Sequence, residues 1–234
     1  MENIKDEVLD LYKYKIQSKL GSGSFGDVYK VQDINTNEIY AAKISKQRIR
    51  KLKNNPDGLL FLFREIKIMS SPNHPSIIRY IGYSPKNFDG LSKPTIITEY
   101  APNNSLKDLI NYEKASCSHK KWDITRKLIC MYGIASGMSY LHHNNIIHRD
   151  LKAENILIDQ YMNPKISDFG LSKVVNGITQ SLRIQSQAGV KGTFLYMAPE
   201  TFGGENYSES GDVFSFGMIV YEMMNIENTF EKFN

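Results

Sequence analysis

The chain has 234 residues, 41% of them hydrophobic and 23% charged, with a formal net charge of +4. This composition leaves room for one large globular domain or two small lobes, and excludes a disordered or fibrous chain. The weak, scattered positive charge implies no nucleic-acid partner, no apolar run is long enough to span a membrane, and Cys117 and Cys130 make neither a disulfide framework nor a zinc signature.

The N-terminal stretch "MENIKDEVLDLYKY" carries acids where a signal peptide would be basic and then apolar, so a reducing, cytoplasmic compartment is expected. From Tyr14 the apolar positions alternate through Ile16 towards Leu20, as in a strand. A glycine cluster follows, and strand character resumes in "DVYKVQD", with Val28 and Val31 flanking polar residues. "DINTN", from Asp33 to Asn37, is a turn signal, and "EIYAAKI" reads as a strand again. The first third is therefore expected to be an antiparallel meander. The apolar stretch "GLLFLFREIKIMS", after Pro56 and Asp57, predicts a helix that carries Glu65. "IIRYIGY" and "PTIITEY" predict two more strands. Beyond "APNNS", Asp123 or Thr125 can cap a helix over "ITRKLICMYGIASGMSYLHH". Its Leu128, Ile129, Met131, Tyr132, Ala135, Met138 and Leu141 are the expected core face.

Five short stretches carry chemistry. "GSGSFGDV" fits G-x-G-x-x-G-x-V, in which glycines let backbone N–H groups approach phosphates. A dinucleotide-binding loop uses the same glycines, but its third glycine opens a helix, whereas here strand alternation continues. Lys43 ends the "YAAK" strand, and Glu65 on the next helix could pair with it and hold the ammonium at a nucleotide's phosphates. "IIHRDLKAENILI" packs six polar side chains between apolar flanks that read as short buried strands. In it, Asp150 can accept a hydroxyl proton and Asn155 offers a hard oxygen to a cation. "SDFG" adds Asp168 as a second hard ligand, and "GTFLYMAPE" follows at Gly192 to Glu200.

Together these stretches resemble a eukaryotic protein kinase catalytic domain, over residues 14 to about 225. The resemblance implies an α+β, bilobal protein-kinase fold, with a β-rich N-lobe at 14–98, a hinge at 99–104 and a mainly helical C-lobe at 105–234. By the family pattern, Gly21, Ser22, Gly23, Ser24, Phe25 and Gly26 cover the phosphates of ATP, and Val28, Ala41 and Leu157 enclose the adenine. Lys43 would touch the phosphates and pair with Glu65, Thr98 would gate the adenine pocket, and Glu99 to Ala101 would form the hinge. Asp150 would be the catalytic base, and Asn155 and Asp168 would hold Mg²⁺. His148 would pack, and Asp212 would anchor the catalytic loop.

Lys152 with Thr193 resembles the serine/threonine pattern, and "DVFSFGMIVYE", "HRDLKAEN" and "NNSLKDLI" look most like the tyrosine-kinase-like group. The implied partners are proteins with Ser or Thr acceptors. Arg149 implies a phosphate on the activation loop, at Thr179, Ser181 or Ser186, placed by an upstream kinase or by the chain itself. The family continues past the helix containing "DVFSFGMIVYEMM", so the C-lobe is expected to lack its last helices. That would leave Glu200 partly buried without its arginine, and Met218, Ile219, Val220, Met223 and Met224 short of cover. Two alternatives to an active kinase follow: a truncated, inactive or weakly active ATP-binding and interaction module, and a dinucleotide-binding oxidoreductase.

Overall fold

Residues 8–23, 26–46, 66–70, 72–117, 122–174, 193–202 and 208–225 are described by the structure, a computed structural model, with the side chains of 173, 174, 193 and 202 outside that description. By its contacts the chain divides into two units, residues 1–73 with 78–100 and residues 74–77 with 101–234.

The first unit is built on an antiparallel sheet in the order β1-β2-β3-β5-β4. Its strands are β1 (Tyr14–Ser22), β2 (Gly26–Asp33), β3 (Ile39–Ser45), β4 (Tyr80–Ser84) and β5 (Thr95–Glu99). The turn signal after β2 works through Asp33, whose Oδ1 accepts the N–H groups of Asn35 at 2.8 Å and Thr36 at 3.1 Å. One face of the sheet buries Val31, Ala42 and Ile97 around Leu11, with Leu9, Tyr14, Tyr29, Tyr40, Ile81 and Phe88 packed against them. Residues 66–70 are helical and bury Ile66, Ile68 and Met69, while the rest of that expected helix, Glu65 included, lies outside the described residues.

The second unit contains the helices α1 (Leu106–Lys114), α2 (Ile124–His143), α3 (Pro199–Phe202) and α4 (Glu209–Met224). Two small antiparallel pairs accompany them: β6 (Ile146–Ile147) with β9 (Lys173–Val174), and β7 (Ile156–Ile158) with β8 (Pro164–Ile166). Ser105 and Asp108 form a reciprocal capping box at α1, and Asp123 rather than Thr125 caps α2 by accepting the Arg126 N–H. His74–Ile77 belongs to this unit because Ile77 bridges Ile166 and the Ser76 carbonyl accepts the Ile166 N–H at 2.8 Å.

Two expectations need correction. On α2, Met138 and Leu141 are buried, but Leu128 is 56% and Tyr132 77% exposed, and Ile129 and Ala135 are exposed as well. The packed stripe instead runs through Lys127, Cys130, Gly133, Ile134, Gly137, Met138 and Leu141. On α4, Ile219 and Met223 are fully buried, whereas Met218 and Val220 are half buried and Met224 is half exposed; Glu200 is exposed, so it bears no burial cost.

Lys127 is the unexpected member of the α2 stripe. Its Nζ donates to Glu113 Oε1 at 2.7 Å and to the Met223 carbonyl at 3.0 Å, closing the last turn of α4. Trp122 Nε1 donates to the other Glu113 oxygen at 3.2 Å. Replacing Lys127 with Ala strands a mostly buried carboxylate and a helix-end carbonyl, and should cost about 3 kcal/mol in urea denaturation.

His74 gives the fold a pH dependence. Its Nδ1 accepts the Ser76 N–H at 3.1 Å, which requires that nitrogen to be unprotonated. Desolvation, and then the charge of Lys165, lower its pKa below the ordinary value of 6.5. A depressed imidazole stabilises the fold above the unfolded pKa, and this contribution is lost as pH falls through the folded one. The melting temperature of the wild type should therefore drop more between pH 7.5 and pH 5 than that of His74→Gln.

Candidate active site

In the first unit the glycine cluster sits where β1 turns into β2, and Gly26 begins a strand. This corrects the dinucleotide-binding alternative, whose third glycine opens a helix. Glycine is required at this third position, because a Cβ on Gly26 would lie 2.6 Å from the Ile44 carbonyl oxygen. The Gly23 N–H donates to the Gly26 carbonyl at 2.8 Å, and Lys46 Nζ donates to the Gly23 carbonyl at 2.6 Å. Gly21 and Ser22 are the exposed end of β1. Ser24, Phe25 and Glu65 lie outside the described residues.

The register places the remaining candidates of this unit. Val28 of β2 lies opposite Lys43 of β3, and Lys43 opposite Ile96 of β5. Ala41 lies opposite Thr98 and Tyr40 opposite Glu99. Glu99 Oε1 accepts the Arg79 N–H at 2.8 Å, which fixes the end of β5. In the second unit, Ala101 is half buried and Leu157 is the half-buried middle residue of β7.

The loop between β6 and β7 holds the charged cluster, and a buried aspartate holds the loop. Asp212, on the first turn of α4, is fully buried. It accepts the backbone N–H of His148 at 2.7 Å and that of Arg149 at 2.9 Å, and it meets His142 Nε2 at 2.9 Å. Arg149 takes φ 69°, in the left-handed region, so one of these charge-assisted backbone bonds stands at a strained residue and the other at the residue before it. His148 is fully buried, with Nδ1 accepting the Asp150 N–H and Nε2 at 3.0 Å from the Ser167 carbonyl. Its ring lies 5.2 Å from that of Phe169. With both nitrogens engaged internally, its geometry is that of a packing residue.

Asp150, Lys152 and Asn155 are brought together. Lys152 Nζ donates to Asp150 Oδ2 at 2.8 Å and Asn155 Nδ2 to the same oxygen at 2.9 Å, so neither bond uses Oδ1. Asn155 Nδ2 also donates to the Asp150 carbonyl at 2.7 Å, closing the loop on itself. The Asn155 carbonyl accepts both the N–H and the hydroxyl of Ser167, which ties the residue preceding Asp168 to this loop. Asp168 itself takes φ 61°. Thr193 starts a 3-10 turn, Thr193–Tyr196, but its side chain lies outside the described residues.

Sequence reasoning missed a second post at this turn. The buried Tyr196 hydroxyl donates to the Glu222 carboxylate, which Lys107 of α1 also reaches, and Ser215 Oγ donates to the Tyr196 carbonyl at 2.7 Å. Desolvation, then the Glu222 charge, push the Tyr196 phenol above its ordinary range. The tyrosine was visible in "GTFLYMAPE", but its partner lies 26 positions away and no local pattern joins them.

A family model of the protein kinase domain matches residues 14–234. The chain belongs to the protein kinase domain family. It is 36% identical over 214 residues to the G-type lectin S-receptor-like serine/threonine-protein kinase RKS1 of Arabidopsis thaliana, covering 90% of this chain and 24% of that protein. It is 32% identical to the cysteine-rich receptor-like protein kinase 38 of the same plant, covering 90% of this chain and 30% of that one. A probable serine/threonine-protein kinase of Dictyostelium discoideum is 36% identical over 224 residues, 93% of this chain and 22% of that protein. The chain thus spans under a third of the length of these relatives. Among the described residues no helix is long and apolar enough to cross a membrane.

The Asp212 anchor predicts a mutational cost. Asn at this position offers one oxygen in place of an anionic pair, so the His148 and Arg149 N–H groups cannot both be satisfied. Asp212→Asn should lose about 3 kcal/mol of stability by chemical denaturation.

Proposed function

We propose that the chain is a protein serine/threonine kinase, transferring the γ-phosphate of ATP to Ser and Thr hydroxyls of proteins. The observation that carries this reading is the convergence of Lys152 and Asn155 on one oxygen of Asp150. This pair of bonds fixes the carboxylate and leaves Oδ1 to receive the proton of an acceptor hydroxyl. The acceptor oxygen forms its bond to the γ-phosphorus as the bond to the β,γ-bridging oxygen breaks, and ADP departs with that electron pair. Lys152 neutralises charge on the transferred phosphoryl group and Lys43 charge on the α- and β-phosphates. The names of the relatives, serine/threonine-protein kinases among them, support the acceptor class.

The donor chemistry fits a hard divalent cation. Asn155 spends its amide nitrogen on Asp150, so Oδ1 is the atom it can offer, and Asp168 offers a carboxylate. Two protein oxygens suit Mg²⁺, which takes its remaining ligands from phosphates and water. When bound, the cation would neutralise phosphate charge, with Asn155 and Asp168 holding it. Phosphorylation at Thr179, Ser181 or Ser186, which lie outside the described residues, would be received by Arg149. An ATP-dependent reaction and two free thiols fit a cytoplasmic setting.

Phosphate transfer from Mg²⁺-ATP to a generic protein substrate tests the reading. Lys43→Met and Asp150→Asn should each reduce the rate by at least about 10²-fold. ATP binding by the wild type with no transfer at all would instead favour a nucleotide-binding module.

A further inference from the structure

The sheet of the first unit does not begin at Tyr14. Before β1 the chain runs along β4: Val8 forms a parallel bridge with Tyr83, and the Leu9 N–H donates to the Tyr83 carbonyl at 2.8 Å. Asp10 then caps a single 3-10 turn, Leu11–Lys13, by accepting the Tyr12 N–H at 3.0 Å. Leu11 enters the core beside Val31, Ala42 and Ile97. Leu9 fills a notch in β4 made by Gly82, where a Cβ would lie 2.6 Å from both Leu9 Cγ and Cδ1. Two residues outside the matched family segment, Val8 and Leu9, are thus laid against its sheet, and a third, Leu11, enters its core.

The register gives this strap a functional address. Tyr83 pairs with Ile96, Ile96 with Lys43, Lys43 with Val28, and Val28 with Gly21. One row therefore crosses the sheet from the strap, through Lys43, to the glycine cluster. Backbone pairing and side-chain packing make such a row a cooperative unit, so an occupant at one edge biases the positions along it. The strap also satisfies one backbone group on the β4 edge, the Tyr83 carbonyl.

We propose that Val8–Asp10 is a detachable strap, hinged on the buried Leu11, whose docking on β4 holds the Lys43 row in its nucleotide-binding arrangement, so that its release weakens nucleotide binding. The role in binding rests on the kinase reading above. The docking itself rests on geometry alone. Because Leu9 is only half buried and only Val8 and Leu9 lie on β4, this short end can leave the edge while Leu11 stays in the core of the sheet. Whatever chain or partner displaced the strap would thereby act on the nucleotide site from the opposite edge of the sheet.

The test uses the whole chain, with Leu9→Ala, Gly82→Ala and the double variant, read by amide exchange at Leu9 and by affinity for a fluorescent ADP with Mg²⁺. Either single change should speed exchange at Leu9 and weaken the nucleotide by at least about fivefold. The double variant should fall short of the product of the two single effects, because removing the Leu9 side chain makes room for the Cβ at position 82. Faster exchange in both single variants with affinity within about twofold of wild type would overturn the strap's role while leaving the kinase reading intact. A wild-type chain that does not bind the nucleotide would overturn both. Unprotected Leu9 in the wild type would overturn the docking.

Discussion

A fully buried carboxylate, Asp212, accepts the backbone N–H groups of two consecutive residues, His148 and Arg149, and the candidate catalytic loop depends on that contact. A lone ionised group at this depth would be costly, and it persists because these donors and His142 Nε2 surround it. The loop it anchors must hold Arg149 at positive φ, which the adjacent apolar strands β6 and β7 alone would not enforce. Once the backbone is fixed, short bonds do the rest: His148 to Ser167, Asn155 to Asp150, Lys152 to Asp150. The charged side chains are thereby oriented before any substrate arrives, which is the condition for electrostatic catalysis.

The first unit reaches its order by a different route. Its candidate residues are placed by register rather than by a central charge: Lys43 is where it is because β3 pairs with β2 on one side and β5 on the other. Small residues set the close approaches, Gly26 against the Ile44 carbonyl and Gly82 against Leu9. The result is a sheet whose far edge, occupied by the strap, is in line with the residue expected to meet the phosphates.

Much of this was legible in the sequence, for physical reasons. Strand alternation, the Asp33 turn and the glycine cluster are local signals, and they gave the meander from Tyr14 to Ser45. The apolar flanks of the candidate catalytic loop are short and strongly contrasted, so β6 and β7 are readable, as is the convergence of Asp150 with Asn155 across one tight loop. The α2 face was not legible, because apolar residues surround much of that helix. The stripe that packs is marked by small residues, Gly133 and Gly137, and by Lys127, whose charge is matched only by Glu113 and the end of α4. Counting apolar positions therefore pointed to Leu128 and Tyr132, which face out. The strap and the Tyr196–Glu222 contact were missed for a related reason: each joins segments far apart in the chain, and neither end is unusual by itself.

The central claim is that this loop moves phosphate to an aliphatic hydroxyl, and the identity of the phosphorylated amino acid in the product tests it most directly. Purified chain, given Mg²⁺-ATP labelled at the γ-phosphate and a mixed protein substrate, should yield phosphoserine and phosphothreonine. The yield should vanish with Asp150→Asn. Phosphotyrosine as the main product, or label transfer that survives this substitution, would contradict the account.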